Sequence, residues 1–107
     1  MAKDFTAIVA FNTLYKYNKL SEFDQVDLVS DITDKFNGVT LTEHLGGYNM
    51  DDGSRAVEYS YMFQIFGLDE LQFKEAEKYF LALGRDNKQE SILLNGDFIY
   101  LNNQLDR

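Results

Sequence analysis

A chain of 107 residues has room for one packed domain, since a compact unit takes about 100–150 residues, and not for a cofactor domain beside a substrate domain. With 45% hydrophobic types, nine Phe and seven Tyr, it can bury a core, and without Cys, Trp or Pro it excludes disulfides, thiolate nucleophiles and cysteine metal sites. Eighteen Asp and Glu against ten Lys and Arg leave a net charge of −8, which disfavours direct contact with nucleic acid or an anionic membrane and makes a basic partner the natural complement.

No apolar signal core follows Met1-Ala2-Lys3-Asp4-Phe5, and no run approaches the ~20 apolar residues of a membrane span, so a soluble cytoplasmic protein is expected. Phe5 to Phe11 reads as a central strand, because after Thr6 it runs without a polar break. Asn12 to Leu20 is a loop with a locally basic and aromatic stretch, Tyr15, Lys16, Tyr17 and Lys19, and its Tyr15 and Tyr17 are candidate contacts for a ligand or protein. Ser21 caps a first helix over Glu22 to Phe36, with Val26, Leu28, Val29, Ile32 and Phe36 expected on one side and Asn37-Gly38 as a left-handed stop.

A second strand begins at Val39, alternates Val39 and Leu41 inward with Thr40, Thr42 and His44 outward, and meets a bulge or close approach at Gly46-Gly47. After the turn Asp51-Asp52-Gly53-Ser54, a long third strand runs from Arg55 to Phe66. It sets Val57, Tyr59, Tyr61, Phe63 and Ile65 on one face and Glu58, Ser60, Met62, Gln64 and Phe66 on the other. Asp69 caps a second helix whose buried side is Phe73, Ala76, Tyr79, Phe80 and Leu83, and Gly84 is expected to stop it. Ser91 to Leu94 and Asp97 to Leu101 flank Asn95-Gly96 and make a closing hairpin.

This order predicts an α+β fold, the ferredoxin-like split β-α-β arrangement (βαββαβ) with an added C-terminal strand and both helices on one face of an antiparallel sheet. The other face, with Met62 and Phe66, is more apolar than open solvent normally receives. A loop, a homodimer mate or a target is expected to cover part of it.

Asp24, Asp27, Asp31 and Asp34 recur at spacings of three, four and three, which predicts an acidic stripe on the first helix opposite its apolar side. Such a stripe is either a solvated helix face or a surface for a cationic partner. The single His44 lacks the nucleophile, orienting carboxylate and oxyanion site that catalysis would need, with Ser60, Glu43 and Glu58 its only nameable neighbours. Asp51 to Ser54 lacks the alternating ligands of a calcium loop, and Gly46-Gly47 lacks the pattern of a phosphate loop, so neither metal nor cofactor is expected. Tyr59, Tyr61 and Phe63 read as core instead of a base-stacking platform, because Arg55 is the only nearby cation.

Ala10-Phe11-Asn12, Gly47, Glu58-Tyr59-Ser60-Tyr61 and Gln89-Glu90-Ser91-Ile92 follow one another in an order that resembles a group of small uncharacterised domains of bacteria and phages. Thr13 stands where proline commonly follows the asparagine in that group. The resemblance implies the same fold, a phage or mobile-element origin, and a polar cluster of Asn12, Glu58, Ser60 and Gln89 at the sheet end, structural or ligand-binding.

Taken together, the residues predict a small non-enzymatic acidic inhibitor. Its aspartate stripe would block the basic surface of a nucleic-acid-handling host protein in the host cytoplasm, as a phage antagonist of host defence does. The alternative is a small-ligand-binding regulatory domain that oligomerises through its sheet.

Overall fold

The computed structural model describes residues 2–11, 20–49, 51–87, 89 and 91–101, with residues 48, 56 and 58 described by their backbone alone. The elements are β1 (Lys3–Ala10), α1 (Glu22–Phe36), β2 (Thr40–Asn49), β3 (Arg55–Leu68), α2 (Glu70–Asp86), β4 (Ser91–Leu94) and β5 (Asp97–Tyr100). They build one antiparallel sheet in the order β2-β3-β1-β4-β5, the ferredoxin-like arrangement extended by an outer fifth strand.

Aromatic packing joins the sheet to α2. Phe5, Phe63 and Phe80 have no exposed surface, and the Phe80 ring lies 5.5 Å from Phe5 and 5.1 Å from Phe63. Each such side chain stabilises the fold by about 1.5–3 kcal/mol through burial. Asp69 caps α2 with a full capping box: its carboxylate accepts from the Gln72 N–H at 2.8 Å, and Gln72 Oε1 accepts from the Asp69 N–H at 3.1 Å.

Two local expectations about glycines are corrected. Gly46-Gly47 holds no bulge, for the β2–β3 ladder runs without a register shift from Thr40 opposite Gln64 to Asn49 opposite Arg55, and a Cβ at Gly46 would meet nothing within 4 Å. The irregularity sits at the other end of β3. There the pairing with β1 slips between Lys3 and Phe5, and Gly67 takes φ +74°, which a residue with a Cβ adopts only at a cost. Gly84 does not end α2, which continues to Asp86. Gly84 is buried, and a Cβ there would come within 2.6 Å of Leu101 Cδ1 and 2.9 Å of Ile92 Cγ2, so its role is close packing of α2 on the β4–β5 hairpin.

Helix α1 buries less than its pattern promised. Ile32 and Phe36 are buried and Leu28 and Val29 half-buried, but Val26 is 62% exposed because it stands about 200° around the helix from Leu28. The sheet face away from the helices carries Phe98, Leu93, Ile8 and Met62 in register across four strands. Phe66, Phe98 and Tyr100 stay more than 60% exposed there, so among the described residues nothing covers that face. Among the described residues no helix is long and apolar enough to cross a membrane.

Candidate functional site

Four chain ends meet at one end of the molecule: the exit of β1 at Phe11, the entry to α1 at Leu20 and Ser21, the exit of α2 at Asn87, and Gln89 before β4. Beside them lies an open groove of about 460 Å³ with Phe11, Leu20, Leu28 and Leu83 as apolar lining and Asp24, Asp27 and Asn87 as polar lining.

Hydrogen bonds from both sides hold the groove wall. The Leu20 N–H donates to the Tyr61 hydroxyl at 2.7 Å, and Gln25 Nε2 donates to the Leu20 carbonyl at 3.2 Å. Tyr61 is fully buried on β3, and its ring meets Phe11 edge-on at 5.7 Å, so a core residue sets the mouth of the groove. Asn87 Nδ2 donates to the Leu83 carbonyl at 2.9 Å, which closes the end of α2.

Asp24, Asp27, Asp31 and Asp34 are all exposed on α1, with Asp34 about 200° around the helix from the buried Ile32 and Phe36. Each has its own setting. Asp24 and Asp27 line the groove, and Asp24 also complements the positive N-terminus of α1. Asp31 accepts a hydrogen bond from the Tyr79 hydroxyl at 2.7 Å and so ties α1 to α2. Asp34 lines no groove with them and stands near the negative end of the helix.

The polar cluster expected at the sheet end is only partly visible. Asn12, Tyr15 and Tyr17 lie outside the described residues, and Glu58 is described by its backbone, opposite Gly46 in the β2–β3 ladder. Ser60 is half-buried on β3, opposite Ala10 on one side and His44 on the other. Gln89 is 8% exposed and spent on the chain itself: its N–H donates to the Gly84 carbonyl at 3.0 Å and its Nε2 to the Asn87 carbonyl at 3.3 Å. Its role there is to fold the α2–β4 connection.

His44 and Ser60 face each other in the β2–β3 ladder without a side-chain hydrogen bond between them, and no group of three potential metal ligands occurs among the described residues. The groove lining of Phe11, Leu20, Leu28, Leu83 and Asn87 was not foreseen from sequence. The one available signal was that Phe11 and Leu20 bracket the loop at 12–19, which puts two apolar residues at its base.

The sheet order and the two helices on one face define an α+β domain of the ferredoxin-like arrangement. No protein-family model matches the chain, and no curated protein matches it. Two solved structures do. One is a phage SAM lyase in complex with S-methyl-5'-thioadenosine, 19% identical, with 92% of this chain and 80% of that chain covered and a TM-score of 0.61. The other is a phage SAM lyase in the apo state, 20% identical, with 85% and 75% covered and the same TM-score of 0.61. At this identity the likeness shows a shared fold.

The expectation of a non-enzymatic inhibitor and antagonist of host defence is overturned by this finding, because the neighbours across nearly the whole chain are enzymes. The same holds for the alternative of a regulatory ligand-binding domain. A net charge of −8 is compatible with an enzyme as well as with a binding protein.

Proposed function

We propose that this chain is a phage-type SAM lyase, an enzyme that cleaves S-adenosylmethionine. The observation that carries this reading is the likeness over 92% of the chain to a phage SAM lyase holding S-methyl-5'-thioadenosine. The chemistry supports it. S-adenosylmethionine bears a sulfonium and an ammonium, and a chain of net charge −8 attracts such a cation.

Cleavage breaks the bond between sulfur and the four-carbon amino-acid arm, and the bonding pair passes to sulfur, which leaves as the neutral thioether S-methyl-5'-thioadenosine. The arm departs without added water, either by closing its own carboxylate onto the carbon that sulfur leaves, giving a lactone, or by losing a proton to form an alkene. Glu58 is proposed for this arm because it is the one carboxylate of the polar cluster, Asn12, Glu58, Ser60 and Gln89, that the sequence sets at the sheet end. A carboxylate serves either course, as partner of the ammonium or as acceptor of the proton. Gly46 across the ladder has no side chain, and the space where a Cβ would stand is open.

The test is to incubate the purified chain with S-adenosylmethionine and follow both compounds by chromatography. S-methyl-5'-thioadenosine should appear mole for mole as the substrate disappears, and mass spectrometry of the co-product distinguishes lactone from alkene. Substrate recovered intact with protein in excess would end the proposal. Glu58→Gln should lower turnover by about 100-fold or more while leaving the melting temperature within a few degrees.

A further inference from the structure

We infer that the sheet face away from the helices is an interface between copies of this chain, with a second copy covering what α1 and α2 leave open; this goes beyond the lyase reading and stands without it. An unbroken apolar row crosses that face. Phe98, Leu93, Ile8 and Met62 stand in register on four adjacent strands, a span of about 14 Å at 4.8 Å per strand, and the exposed Phe66 and Tyr100 border the row. Contiguous apolar surface of this kind on a folded domain marks a contact site.

Charge selects the occupant. Among the described side chains no Lys or Arg stands on this face, and its strands place carboxylates only toward its two ends, at Asp4 near the start of β1 and at Glu58 beyond the end of β1. A chain of net charge −8 repels nucleic acid, anionic lipid and, over most of its surface, its own copies. A basic protein would be drawn to the acidic residues elsewhere, whereas two copies can meet here with their like charges left in water.

The size fits as well. The strands make a plane of roughly 650 Å², at about 4.8 Å between strands and 3.4 Å per residue, before side chains add relief, and a stable protein contact takes about 800 Å² from each partner. A second feature adjoins the face. β1 pairs with β3 as far as Ala10 opposite Ser60, but the β2–β3 ladder runs on through five more pairs, from Leu45 opposite Tyr59 to Asn49 opposite Arg55. Among the described residues no third strand joins them, and a ribbon of two strands is marginally stable alone. A copy packed across the sheet and onto the ribbon supplies the missing neighbour.

Sedimentation velocity of the full-length chain between about 1 and 100 μM should show a species of at least twice the monomer mass, with a share that grows with concentration. Phe98→Lys and Met62→Lys each bring a charge onto the apolar row and should weaken association by about 10-fold or more. Leu71→Lys, at a leucine of α2 that is 69% exposed, should leave it unchanged. Circular dichroism checks each variant's fold, and Phe98, 66% exposed on the outer strand, can carry a lysine without disturbing the core even if Met62→Lys fails to fold. Raising salt from about 50 to 500 mM should strengthen association, because screening relaxes the repulsion between two acidic copies.

A chain that sediments as a monomer at about 100 μM overturns the inference, whether or not it cleaves S-adenosylmethionine. So does an oligomer that Phe98→Lys leaves intact or that Leu71→Lys dissociates, since the contact would then lie elsewhere. An oligomer sensitive to Phe98→Lys in a chain without lyase activity upholds the interface and retires only the lyase reading.

Discussion

The hydroxyl of Tyr79 donates to Asp31 Oδ2 at 2.7 Å across the two helices, its ring meets Phe36 edge-on at 6.3 Å, and Lys35 Nζ lies 6.0 Å over it. Burial first, and then the charge and hydrogen bond of Asp31, hold the phenol well above its ordinary pKa of 10.0. Removing the hydroxyl in Tyr79→Phe keeps the ring contacts and returns an exposed carboxylate to water, so the cost should be about 1 kcal/mol in urea denaturation. The pH dependence has a definite sign. With the folded pKa raised, this stabilisation is complete below about pH 10, where the unfolded phenol ionises, and is lost as pH rises further toward the folded value. Thermal melts should therefore show the wild type losing its advantage over Tyr79→Phe above about pH 10. Asp52 runs the other way: the Ser54 hydroxyl, at 2.6 Å, and then the Ser54 N–H, at 2.9 Å, hold its carboxyl below the usual range. Its contribution is present above that range and goes as pH falls through the lowered value, so the protection of the Ser54 amide, measured as exchange relative to an unstructured peptide at the same pH, should fall in acid.

At the level of elements, the contact between α2 and the β4–β5 hairpin is the least tolerant of added volume. A methyl at Gly84 must push aside the ends of Leu101 and Ile92, costing roughly 1–2 kcal/mol, while replacing glycine inside a helix returns about 1 kcal/mol. Gly84→Ala should thus change stability by less than about 1 kcal/mol, and Gly84→Val, with two more methyls and a β-branched helix residue, should cost about 2–3 kcal/mol. Denaturant midpoints of the pair would check this, and equal values would show that the interface yields freely. The hairpin is also tied to its neighbour. Asn95, at φ +51° in the turn, donates its N–H to the Thr6 carbonyl at 2.8 Å and accepts from the Thr6 N–H through Oδ1 at 2.9 Å. An asparagine chosen for its turn conformation thereby extends the β1–β4 ladder beyond the hairpin strands.

Over the whole molecule, a net charge of −8 on 107 residues repels itself while it attracts cations. The surface pair of Lys3 with Glu70, at 3.8 Å, offsets little of this. Added salt should therefore raise the melting temperature by a few degrees between about 20 and 300 mM, as screening relaxes the repulsion. A melting temperature that stays level or falls would mean that the aspartates are already compensated.

Element order, helix caps and the closing turn were legible in the sequence because each depends on residues within a few positions of one another. Ser21 and Asp69 accept from the amides three residues on, Asn37 takes φ +70° at the end of α1, and Asn95-Gly96 turns the hairpin. From these the strand and helix order, and with it the fold, could be argued. What the sequence could not reveal depends on packing between distant segments. Whether a glycine bends a strand, ends a helix or admits a neighbouring side chain is decided by what lies across from it: Gly46 faces open space and Gly84 faces Ile92 and Leu101. Four aspartates at helical spacing look alike in a linear reading. The tertiary structure sends one to Tyr79 and two to a groove, because the exits of β1 and α2 come together beside the start of α1 and create a concave, partly apolar space no single segment possesses.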